Sequence, residues 1–247
     1  MAKTSGGRTV TEILRAAAEI KKHRSVFEES VIGVVMFIDL VGSTNYKTRH
    51  PREEDWLPWL AGFLHGASEI VRQRGQVVKY IGDEVMATFL GDGSVLRAEH
   101  TAEQILAFAH ETDYRVKIAM DYGKLSLLDF SKFQTSGRGD RSRLAKDPQG
   151  TTVDRCARIA KRAEPSTALT SAELVNASQA AERWRRCGNI IAKGVGRVPV
   201  FQLSFAHSPR LKLSGTSDVA VHKLCKRREE RLQRLVKDLK RLRDDRR

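Results

Sequence analysis

The chain has 247 residues, of which 40% are hydrophobic and 30% are charged, and its formal net charge is +14. This length can form one large domain with appendages. The sequence has no apolar run of the ~18 residues that predict a membrane-spanning helix. The first residues lack the apolar core of a secretory signal, so we expect a cytoplasmic protein. The three cysteines lie far apart, which predicts neither a disulfide framework nor a zinc site.

Much of the positive charge lies near the C-terminus. Residues 226–247 contain eleven Lys or Arg and five Asp or Glu, which is +6 of the total. A basic balance attracts polyanions, but the sequence has neither the aromatic-basic pattern of an RNA-binding sheet nor a helix-turn-helix, so no nucleic-acid partner is expected. Leucine spacing predicts a basic helix over 219–247, which either contacts a partner, a membrane surface or a second copy weakly, or is simply solvated.

The first half of the chain predicts a strand followed by a helix and a hairpin. An N-terminal helical segment is expected over 1–30, with its helix over 9–24. Residues 31–39 form an apolar, β-branched run that is typical of a buried strand. Apolar residues at helical spacing predict a helix over 53–74. "QVVKYIGDEVMATFL" then predicts two strands joined tightly at Gly82 and Asp83.

The second half predicts a helix over 94–111 and a further pair of strands over 115–130. Residues 131–149 are polar and Gly-rich, which is typical of a loop. "TTVDRCARIAKRAEP" predicts a helix that ends before its proline, and "IIAKGVGRVPVFQLS" predicts a closing pair of strands. The order β-α-β-β-α-β-α-β is that of a ferredoxin-like α+β domain, expected over 31–205 with a linker over 206–218.

Two carboxylates mark the ends of predicted strands. Asp39 ends the first strand in "VVMFIDLVGST", and Asp83 lies in the turn of the hairpin. If strand and hairpin are neighbours, both carboxylates meet at one sheet edge, where repulsion favours a cation between them. Mg²⁺ or Mn²⁺ prefers such oxygen ligands. The turn over 41–44 precedes a helix, whose free N–H groups suit phosphates. Each feature alone is more typical of a cap or a surface turn.

At these positions the sequence resembles the class III nucleotidyl cyclases, over about Val31 to Leu203. "FIDLVGST" and "VVKYIGDEVMATF" resemble the two metal-binding blocks of the family. "RAEH" resembles a phosphate-binding segment, "GTTVDRCARI" resembles the transition-state helix, and "KGVGRVPVFQL" resembles the closing strands. The resemblance implies the fold of that family, a central and mostly antiparallel sheet flanked by helices, with active sites at a homodimer interface.

The resemblance also implies a reaction, in which a nucleoside triphosphate becomes its 3′,5′-cyclic monophosphate and pyrophosphate. Two Mn²⁺ or Mg²⁺ ions per site would be held by Asp39, Asp83 and the Leu40 carbonyl. The backbone over 42–44 would bind phosphates, while Arg158 would meet charge on the α-phosphate. In that phosphate-binding turn the residues are Gly42, Ser43 and Thr44. The resemblance also implies that Arg97 and Lys193 contact phosphates and that Asp154 belongs to the helix of Arg158. One subunit would supply the acids, and the other would supply the Arg158 helix.

Two of these residues have open roles. Family members usually carry Asn where this chain has Asp154, so that carboxylate either accepts from a ribose hydroxyl, orients Arg158 or merely pairs with Arg155. Lys193 resembles a phosphate-contacting lysine, but the family often has a second lysine where this chain has Val195. A sheet-edge lysine without a function is the alternative.

Lys79 and Asp147 stand where the family reads its base. Guanylate cyclases prefer Glu at the first position, so GTP is disfavoured. The hydrogen-bond polarity of the pair leaves uracil, cytosine and adenine open. Tyr46 either lies over the base, narrows the base slot or is a half-exposed helix residue. The block around Asp154 resembles the pyrimidine cyclases of bacterial anti-phage signalling (the Pycsar type), which favours UTP to cyclic UMP. Adenylate cyclase, cytidylate cyclase and a non-catalytic nucleotide-binding dimerisation module are the alternatives.

Overall fold

The computed structural model describes residues 9–12, 14–15, 18, 27–128, 146–205 and 210–213. At the N-terminus, residues 10–12, 14–15 and 18 are helical, whereas residues 27–30 of the segment predicted over 1–30 are part of a strand. The predicted basic helix over 219–247 lies outside the described residues. Most of the loop predicted over 131–149 and of the linker predicted over 206–218 does so as well. No helix in the described ranges is both long enough and apolar enough to cross a membrane.

The described chain contains eight strands and the helices that connect them. The strands are β1 (Phe27–Leu40), β2 (Gln76–Ile81), β3 (Glu84–Leu90), β4 (Val116–Leu128), β5 (Asp147–Gln149), β6 (Thr167–Ser171), β7 (Trp184–Ala192) and β8 (Gly196–Leu203). After the N-terminal helical residues, the α-helices are α1 (Ser43–Arg49), α2 (Glu53–Arg72), α3 (Ser94–Glu111), α4 (Thr151–Ala160) and α5 (Ala172–Ala177), and a short 3-10 helix spans Ala181–Arg183.

All eight strands belong to one sheet. Its order is β2-β3-β1-β4-β6-β8-β7, and the short β5 pairs with β4 beside this path. Among the pairs formed by these eight strands, only β4–β6 is parallel, and the others are antiparallel. This arrangement confirms the predicted α+β fold with a central, mostly antiparallel sheet flanked by helices.

The two faces of β1 pack into separate hydrophobic cores, because successive side chains of a strand point to opposite faces. Val34, Met36 and Ile38 join the core that includes α2 and α3. Val35 and Phe37 join the core that includes α4, β7 and β8. By the same alternation, Asp39 belongs to the α4 face of the sheet. It stands where that face reaches the end of the strand.

Two sequence predictions need correction, and one strand was not predicted. Residues 115–130, predicted as a pair of strands, contain the single strand β4, which pairs with β1 from Leu128 to Val116. No turn divides this strand, and Gly123 in its middle pairs with Gly33 within the same ladder. The loop predicted over 131–149 ends in β5, which its composition gave no reason to expect. Strand β6 was also missed, since its five residues are too few to show a period.

Candidate active site

The two predicted acids face one cleft. β1 brings Asp39 to its end, and the turn between β2 and β3 presents Asp83 on the neighbouring hairpin. β1 and β3 pair antiparallel, with Asp39 opposite Glu84, which places the turn beside the end of β1. The cleft has a volume of about 400 Å³. Its lining comprises Asp39, Leu40, Val41, Gly42, Ser43, Thr44, Asn45, Asp83 and Lys117. We call it the acid cleft.

Both carboxylates have a protein partner within the acid cleft. The Ser43 hydroxyl donates a short hydrogen bond to Asp83. The ammonium of Lys117 lies 2.7 Å from an Asp39 carboxylate oxygen. Sequence reasoning missed Lys117, which pairs directly opposite Asp39 in the β1–β4 ladder. Its position follows from strand register alone, because no local motif surrounds it.

A third carboxylate, Glu84, stands beside the two predicted acids. It pairs with Asp39 on the side of β1 that faces β3. Burial, together with the negative charges of Asp39 and Asp83, raises the pKa of Glu84 to about 7, against the lowering effect of Lys117. Four charged side chains therefore lie in or beside the cleft, Asp39, Asp83, Lys117 and Glu84, and the sequence had predicted the first two.

The turn between β1 and α1 opens onto the acid cleft. Gly42 has a φ of 87°, a left-handed conformation that favours glycine, and a Cβ added there would meet nothing within 4 Å. The first intrahelical bond of α1 runs from the Tyr46 N–H to the Gly42 carbonyl. The earlier N–H groups of this turn therefore have no partner within the helix, as at any helix start.

The acid cleft fits a hard divalent cation. Asp39 and Asp83 supply the carboxylate oxygens that Mg²⁺ and Mn²⁺ prefer, and Leu40 also lines the cleft. Over the described ranges, no group of three or more His, Cys, Asp or Glu side chains is arranged to hold an ion. Water and phosphate oxygens would have to complete the coordination, as is usual for Mg²⁺.

Lys79 and Asp147, predicted as the base-reading pair, lie together although 68 residues separate them. The Lys79 ammonium donates to both oxygens of Asp147, at distances of 2.9 and 2.7 Å. β2 carries the lysine and β5 carries the aspartate. Neither residue lines the acid cleft. A single chain therefore holds two separate groups of predicted site residues.

Helix α4 presents two further predicted residues. Asp154 is exposed and Arg158 is half-buried, and at a spacing of four they share one side of the helix. Within the described part of the chain, neither side chain has a hydrogen-bond or ion-pair partner. Arg155 does not pair with Asp154, because its guanidinium is bound to Asp121 and Glu173 instead. Asp154 is therefore not merely the ion-pair partner of Arg155, which was the simplest alternative for its role.

The Arg155 contacts form a buried network that joins α4 to the sheet. Arg155 donates to both oxygens of Asp121, at 2.5 and 3.2 Å, and to Glu173 at 2.5 Å. Asp121 is fully buried and also accepts from Ser171. Burial raises the pKa of Asp121 to about 6, against the lowering effects of Arg155 and Ser171.

Three predicted residues lie apart from the acid cleft. The Arg97 guanidinium donates to the backbone carbonyls of Leu90, Asp92 and Arg74, so its phosphate-binding role stays a prediction. Tyr46 stacks at ring-centroid distances of 4.2 Å from His50 and 4.1 Å from Trp59, in the manner of a half-exposed helix residue. Lys193 is exposed in the turn between β7 and β8.

Comparison with known proteins points to one kind of domain. The chain resembles the adenylyl cyclase CyaB of P. aeruginosa, with 19% identity and a TM-score of 0.57 over 75% of this chain and 98% of that one. It resembles the guanylyl cyclase Cya2 with 14% identity and a TM-score of 0.60, over 76% of this chain and 100% of that one. It resembles the guanylate cyclase domain of RhGC from Catenaria anguillulae, solved with GTP, with 16% identity and a TM-score of 0.58, over 72% of this chain and 98% of that one.

The chain has the class III cyclase fold. Among curated proteins, an uncharacterized protein of Mycobacterium tuberculosis and one of Mycobacterium bovis are each 28% identical to it over 193 residues. Those residues make up 76% of this chain, which spans about a third of the length of these relatives. No family model matches the chain. Within the class III cyclase fold, the acid cleft lies where β1 ends and the β2–β3 hairpin turns.

Proposed function

We propose that the protein is a class III nucleotidyl cyclase, which converts a nucleoside triphosphate to its 3′,5′-cyclic monophosphate and pyrophosphate. The observation that carries this proposal is the meeting of Asp39 and Asp83 in one cleft, on the fold of adenylyl and guanylyl cyclase domains. A non-catalytic module of the same fold would have no need of two carboxylates that repel each other there.

The residues of the acid cleft have distinct proposed roles. Bound there by Asp39, Asp83 and the Leu40 carbonyl, two Mn²⁺ or Mg²⁺ ions would supply Lewis acidity toward the ribose 3′-hydroxyl and the triphosphate. Ser43 orients Asp83 through its hydrogen bond. The open backbone over 42–44 binds the β- and γ-phosphates, since its N–H groups have no helical partner.

The remaining predicted residues support a site that two subunits share. In one chain, Asp154 and Arg158 have no described partner, and the Lys79–Asp147 pair does not line the acid cleft. We propose a homodimer in which one copy supplies the carboxylates and its partner supplies α4 and the base-reading pair. Arg158 then stabilises the charge that develops on the α-phosphate.

We propose UTP as the substrate. The Lys79–Asp147 pair offers one donor and one acceptor, which match O4 and N3–H of uracil. The same polarity suits adenine and cytosine, and ATP is the second candidate. The resemblance of the sequence around Asp154 to pyrimidine cyclases favours uracil. As a uridylate cyclase, the protein would generate cyclic UMP as a messenger in bacterial antiviral defence.

Product analysis tests this proposal directly. The protein is incubated with Mn²⁺ and each of the four nucleoside triphosphates separately, and the products are identified by mass spectrometry. We expect cyclic UMP from the wild type and none from Asp39→Ala or Asp83→Ala, since either change removes a metal ligand. Asp113→Ala, outside the acid cleft, is the matched control. Cyclic AMP as the main product would favour adenylate cyclase, and no cyclic product from any nucleotide would refute a cyclase.

A further inference from the structure

The positive charge of Lys117 lies beside Asp39, the carboxylate that the proposed function assigns to a metal ion. Glu84, Asp39 and Lys117 form a row across three neighbouring strands, because each is the direct cross-strand partner of the next. The Lys117 ammonium lies 2.7 Å from an Asp39 oxygen, and the two side chains are only 27% and 21% exposed. The lysine also lines the acid cleft itself.

A divalent cation and this ammonium compete for the same carboxylate. A metal ion bound to Asp39 would stand close to the Lys117 ammonium, and like charges at such a distance repel. Because the pair is largely buried, salt screens this repulsion less than it would at the surface. The lysine stem is long and flexible, so the ammonium can leave Asp39 without a change of the backbone.

We propose that Lys117 is a resident counter-ion of Asp39 that a divalent cation must displace, and that it thereby weakens metal binding by the nucleotide-free protein. The inference rests on the proposed function, since it takes Asp39 as a metal ligand. In the absence of metal, Lys117 compensates the negative charge of Asp39 in the acid cleft. It is a regulating neighbour of the metal ligand and does not itself coordinate the ion.

Mn²⁺ binding without nucleotide tests the inference separately from catalysis. Electron paramagnetic resonance of free Mn²⁺ is recorded during titration of the full-length wild type and of Lys117→Met, which removes the charge and keeps the stem. Lys124→Met is the matched control, because Lys124 lies exposed on the same strand and outside the acid cleft. Lys117→Arg keeps a cation in place, and circular dichroism checks that every variant folds.

We expect Lys117→Met to bind Mn²⁺ about fivefold more tightly than the wild type, the effect of releasing one ion pair of ordinary strength. Lys124→Met and Lys117→Arg should bind as the wild type does, and Asp39→Asn should lose the site. Unchanged or weaker Mn²⁺ binding by Lys117→Met, while Asp39→Asn loses the site, would overturn this inference alone. Absence of Mn²⁺ binding at Asp39 in all folded variants would overturn both the inference and the proposed metal site.

Discussion

Replacing Arg155 by methionine should destabilise the protein by about 3–5 kcal/mol, because it breaks a buried ion pair and leaves one charge uncompensated. Asp121 is 0% exposed and receives two of the Arg155 hydrogen bonds. Without the guanidinium, the donors that Asp121 retains among the described residues are the Ser171 hydroxyl and the neighbouring Tyr122 N–H. Methionine fills a similar volume, so lost packing adds little to this cost.

Urea unfolding at a fixed protein concentration, followed by tryptophan fluorescence, measures the change. Arg158→Met is the matched control, since it lies on the same helix and its side chain has no partner within the described ranges. We expect it to change the free energy of unfolding by less than about 0.5 kcal/mol. The double variant Asp121→Asn/Arg155→Met should recover part of the loss, because it removes the charge that Arg155 had compensated.

The pH dependence of this effect has a definite sign. Burial raises the pKa of Asp121 from 3.8 to about 6, so the folded chain holds that proton more tightly than the unfolded chain. The contribution of Asp121 to the free energy of unfolding therefore falls as pH rises from about 4 to about 6, by roughly 3 kcal/mol. Removing Arg155 raises this pKa further, since the guanidinium stabilises the charged form.

The deficit of Arg155→Met should consequently be largest near pH 8 and smaller near pH 5, where Asp121 is protonated. Parallel unfolding curves at the two pH values give the comparison. A loss of stability no greater than that of Arg158→Met at pH 8 would refute the assignment of a buried, ionised pair. A deficit that grows toward pH 5 would refute the sign derived from burial.

Two further predictions concern the shared site and the thiols. A mixture of Asp39→Ala and Arg158→Ala proteins, each inactive alone, should recover partial cyclase activity, because one site of the heterodimer keeps both groups. An isolated heterodimer without activity would contradict a shared site. Burial raises the pKa of both described thiols, that of Cys187 to about 11, so neither is readily ionised. In Cys225→Ser, we expect Cys156 and Cys187 to react with a thiol reagent only after unfolding, and rapid reaction of the native protein would contradict their burial.

The sequence by itself determined those features that depend on local pattern. The continuous apolar, β-branched run over 31–39 predicted most of β1, and helical spacing predicted α2 and α3 nearly to their ends. A tight turn at Gly82 and Asp83 followed from the short gap between two strand-like runs. From the order of these elements the α+β fold could be predicted, and the two acids could be placed at neighbouring strand ends.

Tertiary structure alone decided which distant side chains meet. Lys117 contacts Asp39 because of the register between β1 and β4, and no sequence motif predicts this contact. Arg155 binds Asp121, 34 residues away, although Asp154 is its neighbour in the chain. The physical reason is that local pattern sets the face on which a side chain lies. The residue opposite it, and the charge it meets there, depend on how the strands align when the sheet forms.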